Sequence, residues 1–140
     1  MKIFWPWTLY VPSGCGTARV RTAAVVRYGV EGATVVGRWS CASQEELFPV
    51  GSVVPVGDDT AFGAVQRTGA ASRIDAYGQG AVATRMREAG YVSAAAAPVL
   101  LSNQPWGAVI VASGADEPLN DDVEHRLAPF AALLALAVAS

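Results

Sequence analysis

The chain has 140 residues, of which 52% are hydrophobic and 16% charged, so it is long and apolar enough for one domain with a real core. This composition argues against an intrinsically disordered chain. The formal net charge of −2 and the scattered arginines exclude the basic surface with which proteins bind nucleic acid. No apolar run reaches the roughly 18–20 residues that a helix needs to cross a bilayer, so no membrane insertion is expected.

The N-terminal segment, residues 1–19, does not match a regular element. Pro6 interrupts a short apolar aromatic run, and Pro12 stands shortly before Cys15, so the segment fits an export or lipoprotein signal poorly. We therefore expect residues 1–19 to form an irregular arm whose tryptophans pack on the domain or on a partner.

The two cysteines, Cys15 and Cys41, are too far apart for a CxxC motif and predict neither a disulfide scaffold nor a zinc site. Two unclustered cysteines favour a reducing compartment. Together with the poor export signal, they predict a cytoplasmic location.

The first half of the chain predicts strands followed by a helix. Apolar runs bounded by turn residues indicate the strands, and a proline places the third at an edge of the sheet. The polar triplet at 58–60 offers helix N-caps, and Gly69 is a suitable stop. In chain order, the predicted elements are strands at 20–27 and 33–40, an edge piece at 53–56 and a helix before Gly69.

The second half predicts a short strand at 71–75, a helix at 81–89, strands at 92–101 and 106–113, and a terminal helix. Asp121 and Glu124 form a capping-box pattern that indicates where the last helix begins. Pro129 lies inside this helix and is expected to kink or restart it.

The two strands after residue 91 lack the alternation of a sheet with one wet face. Val109 and Val111 are expected to point to one face, and Trp106, Ala108, Ile110 and Ala112 to the other. Both faces are apolar, so both must be covered. The order of elements predicts an α+β layout with helices on an antiparallel sheet.

Four segments give the chain a resemblance to GAF domains, and more narrowly to those of bacterial (actinobacterial-type) sensor histidine kinases and related signalling proteins. Their order is a strand pair, then a helix with R-T-G and an extended piece ending in I-D, then two strands with W-G, then a terminal helix. The segments are AAVVRYGVEGATVVGRWS, FPVGSVVPVGDDTAFGAVQRTGAASRIDAY, MREAGYVSAAAAPVLLSNQPWGAVIVAS and RLAPFAALLALAVAS.

The resemblance implies a GAF-like (profilin-like) α+β domain over residues 20–140, with a central antiparallel sheet of five to six strands and helices on both faces. Terminal helices cover one face, and short helices and loops on the other enclose a small-molecule pocket. The helix with which the family normally begins has no counterpart in residues 1–19. Part of the sheet would therefore need the arm or a second subunit as cover.

Candidate pocket residues are aromatic and apolar side chains with a few polar groups, as in small-ligand sites. The alternative for each aromatic residue is a plain core position. Asp75 and Arg85 could bind a polar ligand. The alternative is that Asp75 caps the following turn and that Arg85 is solvated. The candidates are Trp39, Phe62, Val65, Ile74, Asp75, Tyr77, Arg85, Met86, Tyr91 and Trp106.

No cofactor is predicted. His125, the only histidine, falls in the terminal helix rather than in the pocket region from which haem ligands of some relatives come. The central helices lack a bilin-attaching cysteine, and there is no cyclic-nucleotide signature. No residue cluster predicts a metal site or a P-loop.

One branch of the GAF family, which the chain resembles, reduces free methionine sulfoxide with a cysteine pair. Such chemistry needs a thiolate of low pKa beside a second thiol. Neither Cys41 nor Cys15 falls on the pocket-loop pattern of that branch, and incidental thiols are the alternative. The chain is therefore not predicted to be an enzyme.

The function predicted is a regulatory domain that binds a small-molecule effector and signals through its terminal helix to a kinase or other effector domain. A ligand-free dimerisation module is one alternative, and a sulfoxide reductase is another. A homodimer is expected through an apolar stripe of the terminal helix formed by Leu127, Phe130, Leu134 and Val138.

Overall fold

The structure, a computed structural model, describes residues 22–40, 48–57, 60–114, 119 and 121–139, without the side chains of Trp39 and Ser40. The predicted arm at 1–19 and both cysteines lie outside the described residues. In chain order, the elements are β1 (Thr22–Tyr28), β2 (Ala33–Ser40), β3 (Val53–Val54), α1 (Ala61–Thr68), β4 (Ser72–Ile74), α2 (Ala81–Glu88), β5 (Tyr91–Leu101), β6 (Gln104–Gly114) and α3 (Val123–Ala139).

The strands form a six-stranded sheet in the order β3-β2-β1-β6-β5-β4, and every neighbouring pair is antiparallel. This confirms the predicted α+β layout with an antiparallel sheet of five to six strands. The proline-flanked strand β3 lies at an edge, as expected for a segment whose proline cannot donate to a ladder.

The β5–β6 hairpin has a tighter turn than the sequence indicated. Ser102 and Asn103 have φ values of 52° and 65°, so a two-residue turn with left-handed residues joins the strands. Gln104 and Pro105, which lie between the two predicted strands at 92–101 and 106–113, begin β6.

Helix α1 begins and ends where its capping residues predicted. The Thr60 hydroxyl accepts a hydrogen bond from the Gly63 amide at 3.1 Å, which satisfies a donor of the first turn. Gly69 ends the helix with a φ of 71°, a left-handed conformation that glycine adopts without steric cost.

Helix α3 is continuous from Val123 to Ala139, so Pro129 does not restart it. A proline at this position leaves the carbonyl of His125 without its helical donor. Both residues are exposed, so water can satisfy that carbonyl. At the start of the helix, Arg126 Nε lies 3.0 Å from Asp122 Oδ2.

The sheet has an apolar cluster on each face, which confirms that both faces of the hairpin are covered. On one face, the strands pack against Leu127 and Ala131 of α3. On the other, they pack against Phe62 and Val65 of α1 and Val82 of α2. Strand β5 serves both clusters through alternating alanines, which are Ala95 and Ala97 on the α3 face and Ala94 and Ala96 on the α1–α2 face.

Three extra residues interrupt the strand register and change which face their neighbours occupy. Val36 in β2, Val92 in β5 and Trp106 in β6 each have no directly paired residue, as in a β-bulge. Trp106 was expected beside Ala108 on the pocket face, but it packs against the α3 cluster. That prediction was wrong because strict alternation fails at a bulge.

Candidate functional site

A cavity lies between the sheet and the helices α1 and α2. The strands contribute small and branched side chains, and the helices contribute larger ones, so the site is a gap in the apolar cluster of that face. Its lining residues are Thr22, Ala24, Val26, Val35, Arg38, Phe48, Val54, Thr60, Ala61, Phe62, Tyr77, Val82, Met86, Tyr91, Ala94, Ile110 and Ala112.

The cavity is larger than an ordinary packing defect. The centres of water-sized spheres can occupy about 70 Å³ of it, several times the roughly 10–15 Å³ that one ordered water needs. Because its described lining is almost wholly apolar, few groups could hold such water in place. The cavity is therefore suited to a small apolar molecule.

Hydrogen bonds hold α1 over this cavity. Tyr28 Oη on β1 donates to the carbonyl of Phe62 at 2.6 Å, which links the start of α1 to the sheet. The Thr60 hydroxyl donates to the carbonyl of Gly57 at 2.9 Å. A Cβ on Gly63 would collide with the Gly57 carbonyl, so this close approach requires glycine in the first helical turn.

Phe48 lies at the cavity between two arginines. Arg38 Nη1 donates to the Phe48 carbonyl at 3.0 Å. The guanidinium carbon of Arg85 lies 4.6 Å from the centre of the Phe48 ring, a distance that suits a cation–π contact. These contacts fix an aromatic wall that precedes β3.

Two neighbouring tyrosines supply phenol groups to the lining. Burial raises the pKa of Tyr77 well above its usual value, and the nearby Tyr91 raises it further. Tyr77 therefore remains protonated at neutral pH and can donate a hydrogen bond. Tyr91 is 6% exposed and reaches this face at the bulge that begins β5.

The structure brings four predicted pocket residues together in the lining, namely Phe62, Tyr77, Met86 and Tyr91. Val65 is fully buried in the adjoining cluster, and Ile74 packs partly buried against it, so both are core residues beside the cavity. Arg85 contacts the wall residue Phe48.

Three other candidates lie elsewhere or are not described as lining residues. Asp75 is exposed and forms an ion pair with Arg73, with Oδ1 2.8 Å from Nε. Trp106 packs on the α3 face, as described above. Trp39 pairs with Ala23 in the β1–β2 register, and its side chain lies outside the described residues.

The predicted terminal-helix stripe also differs from its expected role. Leu127 is buried in the chain's own core, and Phe130 and Leu134 pack partly buried against it. The exposed large side chains are instead Leu133 and Leu136. The helical spacing had identified the face of α3 that packs on the sheet. Apolar residues repeat with the same helical period on a core-facing side and on a dimer interface, so the spacing alone does not distinguish them.

Sequence reasoning missed most of the strand residues of the cavity. Alternation along β1 would have placed Thr22, Ala24 and Val26 on the face opposite Val25. The bulge at Val36 moves Arg38 onto the cavity face, and no compositional signal marked it. Phe48, between Leu47 and Pro49, likewise had no periodic pattern around it.

The described residues contain no group of three or more histidine, cysteine or carboxylate side chains that could hold a metal ion. His125 is exposed on α3, away from the cavity. None of the helices in the described ranges is long and apolar enough to cross a membrane.

Solved structures share this fold at low sequence identity. The GAF-B domain of DevS from Mycobacterium smegmatis is 20% identical, with a TM-score of 0.61 over 86% of this chain and 80% of that chain. A type II free methionine-R-sulfoxide reductase from Thermoplasma acidophilum is 13% identical, with a TM-score of 0.65 over 86% and 79%. A phycoerythrobilin-bound GAF domain from a cyanobacterial phytochrome is also 13% identical, with a TM-score of 0.65 over 86% and 77%.

No curated protein sequence matches the chain significantly. The GAF domain family, by contrast, matches residues 8–138, which is nearly the whole chain and includes part of the predicted arm. The sheet order, the two-sided covering and this match agree, and the chain belongs to the GAF domain family.

Proposed function

We propose that the chain is a sensory domain that binds a small molecule in the cavity between the sheet and helices α1 and α2. Occupancy of the cavity would shift the sheet and change the position of α3 on its opposite face. As the regulatory input of a cytoplasmic signalling protein such as a sensor histidine kinase, the domain would pass this change on to an effector.

The observation that carries the proposal is that the cavity and α3 share the same strands. Ala94 of β5 lines the cavity, while the next residue, Ala95, belongs to the cluster beneath α3. Ala112 and Val111 have the same relationship on β6. A ligand that prefers one of two sheet positions would therefore also select a position of α3.

The proposal is tested with toluene as a probe of the cavity. Ala112→Leu would fill the lining from β6, and Ala128→Leu, on the exposed side of α3, is the matched control. Ligand-observed NMR should detect toluene binding to the parent chain and to Ala128→Leu. The affinity of Ala112→Leu for toluene should be at least about tenfold lower, because the leucine side chain occupies part of the cavity.

Hydrogen exchange of the α3 amides, with and without toluene, then tests the transmission step. The exchange rates should change when the cavity is occupied. Absence of binding to the parent chain would contradict the ligand site, and binding without any change in α3 would contradict the transmission.

A second proposal, homodimerisation through α3, is supported by its outer face. Leu133 is 58% exposed and Leu136 is 70% exposed, and from Leu127 to Ala139 the helix has no charged side chain. A second copy of the chain would cover these leucines with the same surface, as a two-fold interface requires.

Sedimentation equilibrium of the Leu133→Glu/Leu136→Glu double variant tests this proposal. It should give a monomer under conditions in which the parent chain is a dimer. The control is Val30→Glu/Val50→Glu, which adds the same charge at exposed apolar positions outside α3 and should leave the dimer intact. A parent chain that is monomeric, or a double variant that remains dimeric, would contradict an α3 interface.

A further inference from the structure

One part of the cavity wall reaches the protein surface and comes from three separate segments. Phe48, Tyr77 and Met86 all line the cavity, and each of these residues is partly exposed. Phe48 precedes β3, Tyr77 lies in the β4–α2 loop at 75–80, and Met86 belongs to α2. A wall of this kind keeps its shape only if the three segments are held together.

Helix α2 is the less firmly anchored of the two helices that cover the cavity. Helix α1, of the same length, buries Ala61, Phe62, Gly63 and Val65 and has a side-chain N-cap. The buried residues of α2 are Val82 and Ala83, and its N-cap, Gly80, makes no side-chain hydrogen bond. A short helix with few buried side chains depends on other contacts for its position.

Arg87 supplies such contacts between α2 and the β4–α2 loop. Its Nη1 atom donates to the carbonyl of Tyr77 at 3.3 Å and also to the carbonyl of Gly78. Its Nη2 atom lies 3.2 Å from the hydroxyl of Thr84, which is on the same helix. A guanidinium group has several donors in one plane, so it can contact the helix and the loop in fixed directions at once.

The other aromatic segment of the wall is also joined to α2 by an arginine. The guanidinium of Arg85 lies over the ring of Phe48. Met86, the next residue, lines the cavity, and Arg87 then contacts the loop that carries Tyr77. Neither arginine is among the described lining residues. These side chains therefore act on the cavity through the wall segments that they contact.

We propose that Arg87 is a positioning residue of the ligand site, which keeps Tyr77 in the cavity wall and raises the affinity for a ligand that it does not touch. A loop that is already ordered before binding does not have to lose conformational entropy when the ligand arrives. The inference rests on the proposed function of the cavity as a ligand site. It assigns to that site an exposed side chain outside the lining.

Toluene is the probe for this inference as well. Dissociation constants are measured by ligand-observed NMR for the parent chain, Arg87→Ala, Arg87→Lys and Arg126→Ala. Arg126 is the matched control because it is also an exposed helical arginine with a side-chain partner, Asp122, but it belongs to α3.

Arg87→Ala should bind toluene about three- to tenfold more weakly than the parent chain, as expected from the loss of hydrogen bonds that order the loop. Arg126→Ala should bind it as tightly as the parent chain. Arg87→Lys keeps the charge and can donate to the loop carbonyls without the planar group, so its affinity should lie between those of the parent chain and Arg87→Ala.

Nuclear Overhauser effects from bound toluene to the protein separate positioning from a general loss of stability. In the parent chain, toluene should give effects to the ring protons of both Tyr77 and Phe62, which line the cavity from different segments. In Arg87→Ala and, to a smaller extent, in Arg87→Lys, the effect to Tyr77 should fall relative to that to Phe62, because only the loop is released. A smaller folded fraction would reduce both effects equally.

The outcomes distinguish this inference from the function on which it rests. Unchanged affinity in Arg87→Ala, an equal loss in Arg126→Ala, or a loss with an unchanged ratio of the two effects would overturn the role of Arg87. In each of these cases the parent chain still binds toluene, so the ligand site stands. If toluene does not bind to the parent chain, the ligand site and this inference are both contradicted.

Discussion

Two buried serines face each other across β5 and β6 with different hydrogen bonding. Ser93 pairs with Ser113 in the register, and both side chains are buried. The Ser93 hydroxyl has no hydrogen-bond partner, whereas Ser113 takes part in an interaction. Burial of an unsatisfied hydroxyl costs free energy of folding, and burial of a satisfied one need not.

Ser93→Ala should therefore leave the free energy of unfolding unchanged or raise it by up to about 1 kcal/mol. Ser113→Ala, the matched variant, should lower it by about 1–2 kcal/mol because it removes a satisfied group. Urea denaturation monitored by circular dichroism measures both values. A larger loss in Ser93→Ala than in Ser113→Ala would contradict this account.

Buried tyrosines make the stability depend on alkaline pH. Burial raises the pKa values of Tyr28 and Tyr77 in the folded chain, while an unfolded tyrosine titrates near pH 10. Above that pH, the unfolded state loses protons that the folded state retains. The unfolded state then binds fewer protons, so the stabilisation present below about pH 10 is lost as the pH rises.

The free energy of unfolding should fall between about pH 9 and about pH 11, a range centred on the usual tyrosine pKa. Tyr77→Phe should reduce this slope, since phenylalanine has no proton to lose. Urea midpoints at both pH values, compared between the parent chain and the variant, measure the effect. A slope that is the same in both proteins would show that Tyr77 is not responsible.

At the scale of the element, α1 has a polar contact at each end. Thr60 accepts from Gly63 and donates to Gly57, so one hydroxyl joins the helix start to the preceding loop. Thr68 ends the same helix, is exposed, and bonds back to the carbonyl of Ala64 at 2.8 Å. The two threonines therefore allow a comparison, within one helix, of a buried capping hydroxyl with an exposed one.

Thr60→Ala should lower the free energy of unfolding by about 1–2 kcal/mol, because it leaves the Gly63 amide without an acceptor. Thr68→Ala should change it by less than about 0.5 kcal/mol, as is usual for an exposed position. Chemical denaturation gives both differences. Equal losses in the two variants would indicate a general effect of removing threonine rather than loss of a cap.

The sequence predicted those elements that have local signals and missed those that depend on register. The N-cap at Thr60 and the stop at Gly69 fixed α1, and the apolar runs gave the strands and the two-sided covering. A bulge adds one residue without a characteristic composition, so the placement of Trp106 and Arg38 could not be obtained from alternation. The predicted pocket consequently included helix residues and omitted most of the strand residues.

At the scale of the whole molecule, two apolar clusters share one sheet and should unfold together. Leu127 is fully buried in the cluster beneath α3, while Leu133 on the same helix is exposed. A change in one cluster removes support from strands that the other cluster also needs. Residues 20–140 are therefore expected to unfold as one cooperative domain.

Leu127→Ala should lower the free energy of unfolding by about 2–5 kcal/mol, the usual range for a leucine truncated in a packed core. Leu133→Ala should change it by less than about 0.5 kcal/mol. Far-ultraviolet circular dichroism and tryptophan fluorescence should give the same midpoint for each protein. Separate midpoints would show that the two layers unfold independently.

The alternating alanines of β5 have a consequence for how binding preferences could diverge among descendants of this protein. Ala94 faces the cavity and Ala95 faces the opposite cluster, although the two residues are adjacent in the chain. A larger side chain at Ala94 would act directly on the cavity, and it would reach the cluster beneath α3 only by displacing the strand that both clusters share. Neighbouring codons would thus evolve under different direct constraints, one set by the proposed ligand and the other by packing beneath α3.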